Sequence, residues 1–265
     1  MKVKLRKQLG WWLLGVTGAA LLAGASQPLP YVILKPGPTF NVLGKFEGQE
    51  LISVSPAVDD NPVGSIDLLT VSEEGSPGNT PYLWELIPVL FSKDQAIYPI
   101  DLVYPDDKTF DELESEALDS FERSKTDALS AAGTALPAGT LEKHRIDLEL
   151  ADVGGPSGGL AFTLGIIDKL TEGSLTGGKK LAVTGTIDKY GKVGPIGGIR
   201  QKVFSAARTD DRFMLIPVDN CEDLTQFHLK QIRVVPVNNL KEALRYITLI
   251  ADDRNLKGLP VCSAK

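Results

Sequence analysis

From residue 145 onward, apolar residues alternate between the two-residue period of a strand and the longer period of a helix. Every second residue of 145–151 is apolar, which predicts a half-buried strand. In residues 157–170, Leu160, Leu164 and Ile167 share one helical face. The later segments predict strands at 180–188, 213–216 and 232–235 and helices at 198–208 and 239–251. This succession predicts a mixed α/β structure of the α+β class.

The first half of the chain is richer in proline and has shorter apolar runs. The prolines between residues 28 and 38 favour extended backbone. Further elements are predicted as strands at 49–55 and 65–72, a helix at 81–92 and a long acidic helix at 109–132. Pro88 should shorten the first of these helices. The Gly/Pro/Ala-rich stretch 133–140 is predicted to be a loop between two parts of the chain.

The N-terminus joins a basic tail to an apolar run at residues 10–26. The basic residues are Lys2, Lys4, Arg6 and Lys7. Because basic flanks stay on the cytoplasmic side of a membrane, residues from Gln27 onward are predicted to be extracytoplasmic. The run has the minimal length for a spanning helix, and Ala23-Gly24-Ala25 resembles a signal-peptidase site. A membrane anchor and a cleaved signal therefore both stay open.

Composition, net charge and cysteine content limit the classes of protein to which the chain can belong. The chain is 43% hydrophobic with a net charge of −6, which indicates a globular protein and argues against a nucleic-acid binder. The two cysteines, Cys221 and Cys262, predict either a disulfide in an exported domain or two unrelated thiols. No His/Cys cluster accompanies them in the sequence, so neither a metal nor another cofactor is predicted.

A glycine-rich hexapeptide, residues 154–159, separates a predicted strand from a predicted helix. It places Ser157 near a helix N-terminus, where backbone N–H groups favour negative charge. The residues alone allow three interpretations: a tight turn with a capping serine, a phosphate-binding loop, or a nucleophile beside an oxyanion site.

A serine nucleophile needs a base, and neither histidine of the sequence lies in a suitable motif. Lys202 is the alternative, since a lysine in apolar surroundings loses its proton more easily. It follows a Gly/Pro-rich entry to a predicted helix, at 193–201. Taken alone, it would be interpreted as a solvated helix lysine.

Three ordered segments resemble the proteolytic domain of Lon proteases. They are Gly155-Pro156-Ser157, Thr184-Gly185-Thr186-Ile187 and the run from Gly191 to Lys202, and Ile216-Pro217 and Asn220 continue the likeness. The chain resembles most closely the bacterial membrane-anchored Lon-like proteins that carry a PDZ domain, with Tyr31 to Gly44 matching their N-terminal pattern. Two departures are that no space for a PDZ module lies between 126 and 143, and that Gly154 replaces the usual Asp.

The resemblance implies a serine endopeptidase with a fold similar to the ribosomal protein S5 domain 2-like fold. Ser157 would be the nucleophile and Lys202 its base, while Thr184 would orient the lysine. Gly155, Pro156 and Gly158 would shape the supporting backbone. The implied partners are a protein or peptide substrate and, by family likeness, identical chains in a ring.

We therefore predict three consecutive parts: 1–27, a basic tail and membrane or signal segment; 28–140, an extracytoplasmic region with strands and a long acidic helix; and 141–265, a Lon-like proteolytic domain. No Gly-x-x-x-x-Gly-Lys-Ser/Thr loop occurs in the sequence, so hydrolysis is predicted to be independent of ATP. The predicted location is the cell membrane, with the catalytic domain outside. A phosphate- or nucleotide-binding domain of related fold and a non-catalytic surface scaffold are the alternatives.

Overall fold

The structure is a computed structural model that describes most of the chain. It describes Thr17, Gly24 and residues 26–58, 63–104, 108–150, 154–224, 231–253 and 256–262. Strands and helices both contribute, so the predicted α+β class is confirmed. None of the helices in these ranges is long and apolar enough to cross a membrane. The membrane segment predicted at 10–26 lies outside the described residues, apart from Thr17, Gly24 and Ser26.

We number the elements in chain order. The strands are β1 (Tyr31–Asn41), β2 (Lys45–Phe46), β3 (Gln49–Glu50), β4 (Ile52–Ser55), β5 (Ser65–Glu74), β6 (Ala96–Pro99), β7 (Arg145–Leu148), β8 (Lys180–Val183), β9 (Thr186–Ile187), β10 (Val193–Gly194), β11 (Phe213–Pro217) and β12 (Arg233–Val237). The helices are α1 (Leu83–Val89), α2 (Ile100–Val103), α3 (Phe110–Ala135), α4 (Gly159–Lys169), α5 (Ile199–Ala207) and α6 (Leu240–Ala251). Short 3-10 turns lie at Leu141–Lys143, Pro156–Gly158, Val218–Asn220, Glu222–Leu224 and Leu256–Gly258.

The chain divides into two compact units that do not follow chain order. The smaller contains the described residues up to Lys35 together with Glu73–Phe110, and the larger contains Pro36–Ser72 and the described residues from Asp111 onward. The boundaries fall inside β1 and β5. The three consecutive parts predicted from the sequence remain a prediction. Each of the two compact units instead combines stretches that are separated in the chain.

The larger unit is built on a sheet with the strand order β12-β11-β8-β5-β1. The pairs β5–β8, β8–β11 and β11–β12 are parallel. Their central residues are Leu, Ile, Val, Ala and Met with almost no exposed surface, as expected for parallel strands covered on both faces. Helix α4 is buried along nearly its whole length, from Gly159 to Asp168, which makes it the central helix of the core.

Two predicted boundaries were wrong, for different physical reasons. Helix α3 continues through Gly133 to Ala135, because Ala and Thr near its end tolerate helix and the first proline comes only at Pro137. The strand predicted at 180–188 is broken into β8 and β9. The break occurs because Gly185 adopts φ 154° and turns its N–H to the carbonyl of Ser157.

The smaller unit pairs the first half of β1 antiparallel with β6. Its small core contains Ile33 from β1 and Leu86 and Val89 from α1. Helix α1 contains Pro88, and it is shorter at both ends than the predicted helix at 81–92. The helix ends one residue after Pro88, which agrees with the absence of a backbone N–H donor in proline.

Candidate active site

The turn before α4 presents Ser157 at the start of a helix. Gly155 has φ 84°, a left-handed conformation that favours glycine, and its N–H donates to the carbonyl of Ala117 at 3.0 Å. The 3-10 turn Pro156–Gly158 then leads directly into α4. A Cβ atom on Gly158 would lie 2.6 Å from Leu68 Cδ1, so a side chain there would collide with the core. Ser157 itself is half-buried.

Lys202 projects from the first turn of α5 towards this serine. Its Nζ lies 2.7 Å from Ser157 Oγ and 3.1 Å from Thr184 Oγ1. The lysine residue is only 2% exposed, although its amine still reaches a half-buried hydroxyl. The structure therefore brings together the three side chains that the family resemblance singled out.

Burial changes the protonation of this amine. Removal from water disfavours the charged form, and it lowers the pKa of Lys202 from 10.5 to about 7. At pH 7 about half of the amines are therefore neutral. A neutral lysine accepts a hydrogen bond or a proton from a serine hydroxyl, which an ordinary solvated lysine does not do at this pH.

Thr184 connects the lysine to the backbone of the nucleophile turn. Its Oγ1 accepts from Lys202 Nζ and lies 3.3 Å from the carbonyl oxygen of Ser157, to which it donates. The next residue, Gly185, donates its N–H to the same carbonyl at 2.9 Å. Because Thr184 is fully buried, these bonds hold the amine and the hydroxyl at a defined separation.

The segment that leads into α5 is held by a buried asparagine. Asn220 accepts from the N–H of Ile196 at 3.0 Å and donates to the carbonyl of the same residue at 2.9 Å. Gly198 then begins the helix with φ 64°. A Cβ there would lie 2.6 Å from Val71 Cγ1, so the backbone passes close to β5. Asn220 belonged to the family likeness, but this clamp was not predicted.

A second unpredicted contact comes from helix α3. Ser124 is 4% exposed, and its hydroxyl donates to the carbonyl of Pro156 at 3.3 Å. In the sequence Ser124 is one of many polar residues of an acidic helix, and no motif marks it. Only the packing of α3 against the nucleophile turn reveals that this hydroxyl supports it.

The nucleophile turn also supplies a backbone donor. Because the 3-10 turn begins at Pro156, the N–H group of Ser157 lies in its first turn, where helices leave donors without an intrahelical acceptor. It belongs to the same residue as Oγ and lies near the positive end of α4. Such a donor stabilises an oxyanion that forms at the serine.

The remaining residues singled out in the sequence are the two cysteines and Gly154. Cys221 and Cys262 form a disulfide between the turn after β11 and the C-terminal segment. Gly154 is exposed, and it carries no carboxylate to act on Lys202. Within the described ranges, no group of three or more His, Cys, Asp or Glu side chains could hold a metal ion.

Comparison with known proteins finds a family that this region resembles. Residues 135–249 match the family model of the Lon protease (S16) C-terminal proteolytic domain. This match covers the nucleophile turn, Thr184 and Lys202. Residues 135–249 are therefore similar to the proteolytic domain of Lon proteases.

The likeness to individual relatives covers less than half of this chain and a small part of each relative. A Lon protease of Trichlorobacter lovleyi is 34% identical over 113 residues, which is 42% of this chain and 12% of that protein. Lon protease 1 of Syntrophobacter fumaroxidans is 34% identical over 105 residues, 38% of this chain and 13% of that protein. A Lon protease of Brucella suis is 35% identical over 95 residues, 35% of this chain and 12% of that protein. The chain thus spans about an eighth of these relatives, and the likeness of its Lon-like domain supports a serine-type peptidase.

Proposed function

We propose that this chain is a serine endopeptidase in which Ser157 is the nucleophile and Lys202 the general base. The observation that carries this proposal is the 2.7 Å contact between Ser157 Oγ and a buried amine with a pKa of about 7. Burial and proximity together supply a base that is poised at neutral pH. The likeness to Lon proteases supports a peptide bond as the bond that is cleaved.

The proposed reaction proceeds through an acyl-enzyme. Ser157 Oγ attacks the carbonyl carbon of the substrate while neutral Lys202 accepts the hydroxyl proton. The carbonyl oxygen becomes an oxyanion beside the N–H group of Ser157. The ammonium of Lys202 then donates its proton to the leaving amine as the C–N bond breaks, which leaves an ester on Ser157.

Hydrolysis of this ester repeats the same proton transfers with water. Lys202 accepts a proton from the water that attacks the ester, and returns a proton to Ser157 Oγ when the acid product leaves. Thr184 acts as a positioning residue, because its bond to Nζ restricts the amine to the side of Ser157. The nucleophile, the base and the positioning residue of this cycle all come from the chain itself.

We further propose that the reaction does not depend on ATP and takes place outside the cytoplasm. The sequence contains no phosphate-binding loop of the ATPase type, which supports ATP independence. The basic tail before the apolar run at 10–26 supports export with anchoring in the membrane. The Cys221–Cys262 disulfide agrees with an oxidising compartment. Flexible or unfolded segments of extracytoplasmic proteins are the proposed substrates, and a ring of identical chains is proposed by family likeness.

A phosphate-binding function is less well supported by the same residues. A phosphate site that uses a lysine presents it charged and accessible to the ligand. Lys202 is instead 2% exposed, and its amine is occupied by Ser157 and Thr184. This geometry favours a base over an anion ligand.

Hydrolysis of an unfolded, fluorescently labelled protein without nucleotide tests the proposal. We expect Ser157→Ala and Lys202→Met to lower the rate by about 100-fold or more, since general-base catalysis contributes at least that factor. Matched controls are Ser130→Ala on α3, whose exposed hydroxyl donates to the carbonyl of Thr126 in the same helix, and Lys192→Met at an exposed position. Circular dichroism shows whether each variant is folded. Wild-type turnover by folded Ser157→Ala would refute the assignment, and a folded wild type without turnover or labelling by serine-directed reagents would favour the scaffold.

A further inference from the structure

Helix α1 of the smaller unit is apolar on two sides. One side buries Leu86 and Val89 against Ile33. The opposite side and the turn that follows the helix form what we call the apolar face of α1: Leu83, Trp84, Ile87, Leu90 and Phe91, which are 40%, 51%, 48%, 71% and 84% exposed. Ile87 is three or four residues from each of the other four positions, so the five side chains share one surface. Soluble proteins rarely expose so many large apolar side chains together, so this surface requires a partner.

The chemistry of the apolar face indicates an apolar partner. Its five members carry no charge. The one acidic residue within α1, Glu85, is used locally, because its carboxylate accepts from the N–H of Tyr82 at 2.7 Å. The ring of Tyr82 stacks on Trp84 with centroids 4.5 Å apart. Tyr and Trp at one end of an apolar surface are typical of the boundary between lipid headgroups and acyl chains.

The backbone connects this face directly to the predicted membrane segment. Leu29 donates its N–H to the carbonyl of Pro81 at 2.8 Å, and Pro28 forms a bridge with Tyr82. The apolar run ends at Ser26, two residues before that bridge. Since an extended chain advances at most about 3.5 Å per residue, Pro28 lies within about 7 Å of the end of the run. If residues 10–26 enter a bilayer, the first turn of α1 is held at its surface.

We propose that the apolar face of α1 inserts into the outer surface of the lipid bilayer beside the membrane segment. The inference rests on the membrane anchoring proposed above and adds a second contact between the protein and the lipid. The insertion is driven by burial of apolar surface, so it does not require anionic lipid. The smaller unit is then fixed to the membrane at two points, the membrane segment and the apolar face of α1.

Tryptophan fluorescence of the full chain in phosphatidylcholine vesicles tests this proposal. The chain has three tryptophans, Trp11, Trp12 and Trp84. One variant, Trp11→Phe with Trp12→Phe, reports only on Trp84, and a second, Trp11→Phe with Trp84→Phe, reports only on Trp12. Lipids brominated near the headgroup or deep in the acyl chain quench tryptophans at the corresponding depth. We expect shallow bromines to reduce Trp84 fluorescence more than deep ones, with no dependence on the protein-to-lipid ratio or on salt.

The two reporters separate the proposals. Trp12 quenched by lipid while Trp84 is not would overturn the docking of α1 and leave the anchor intact. Quenching of neither would overturn both. A third outcome is that brominated lipids do not quench Trp84, while its burial increases with protein concentration. This result would indicate that a second copy of the chain covers the face, and it would also overturn the proposal.

Charged substitutions provide a second arm of the experiment. Leu90→Glu with Phe91→Glu alters side chains that are almost fully exposed, so the fold should be retained. We expect Trp84 to lose its quenching by shallow bromines in this variant, while Trp12 keeps its own. The matched control is Tyr190→Glu, a 78% exposed aromatic residue of the larger unit, which should change neither reporter. Unchanged Trp84 quenching in the Leu90→Glu, Phe91→Glu variant would contradict insertion of this face.

Discussion

The lowered pKa of Lys202 predicts the pH dependence of acylation. If neutral Lys202 is the base, the acylation rate should follow the neutral fraction of an amine with a pKa of about 7. That fraction is about one tenth at pH 6, one half at pH 7 and nine tenths at pH 8. An amine that kept the ordinary value of 10.5 would be neutral in about one molecule of 3,000 at pH 7. Burial therefore makes the neutral, reactive form of the amine more favourable by about 5 kcal/mol.

The assay is the rate at which a fluorophosphonate modifies Ser157 between pH 5.5 and 9.5. We expect a rise of about tenfold per pH unit on the acidic side and a plateau above pH 8. Modification of Ser157→Ala corrects for other nucleophiles, and circular dichroism at each pH confirms that the fold is retained. A rate that still rises tenfold per unit above pH 9, or a profile without any limb near pH 7, would refute the role given to burial.

Three further changes test the groups around this pair and two buried carboxyls, Asp67 in β5 and Asp211 just before β11. Thr184→Val removes the bond to Lys202 Nζ, and we expect a fall in kcat of about tenfold with little change in KM, measured by peptide hydrolysis. Lys202→Met should raise the free energy of unfolding, measured in urea, by about 2 kcal/mol or more at pH 6. The pKa of Lys202 is lower in the folded than in the unfolded protein, so burial of the charged amine destabilises the fold fully below pH 7. This destabilisation vanishes as the pH rises towards 10.5. Equal stability of the two proteins at pH 6 would contradict this. Asp211→Asn should show the opposite pH dependence, because burial and then the charge of Asp67 raise the pKa of Asp211 from 3.8 to about 7. Its stabilisation should be absent below pH 4 and reach about 1 kcal/mol or more above pH 7, and the same gain at pH 4 would contradict it.

The larger features of the fold were predictable because they depend on local patterns. A short stretch of sequence is enough to predict helices α4 and α6 from their apolar spacing and strands β11 and β12 from their apolar runs. The break between β8 and β9 was not predictable in this way. It depends on Gly185 bonding to Ser157, a contact between residues far apart in sequence.

The candidate site shows the same contrast. Ser157, Thr184 and Lys202 were found because three motifs resemble one family, whereas their burial and hydrogen bonds arise only when α4, β8 and α5 pack together. Neither the contact of Ser124 with Pro156 nor the clamp formed by Asn220 follows from any periodicity, since both are side-chain bonds to distant backbone. The division into two discontinuous units could not be predicted from patterns along the chain either, because β1 and β5 each contribute residues to both units.

Mass-spectrometric mapping of a serine-directed adduct tests the central claim most directly. The account predicts that a fluorophosphonate at pH 8 modifies Ser157 in the wild-type protein. It also predicts that folded Lys202→Met shows about 100-fold slower modification there, while Lys192→Met behaves as the wild type. Modification of Ser157 at the same rate with and without the amine of residue 202, or a lasting adduct only at other residues, would contradict the account.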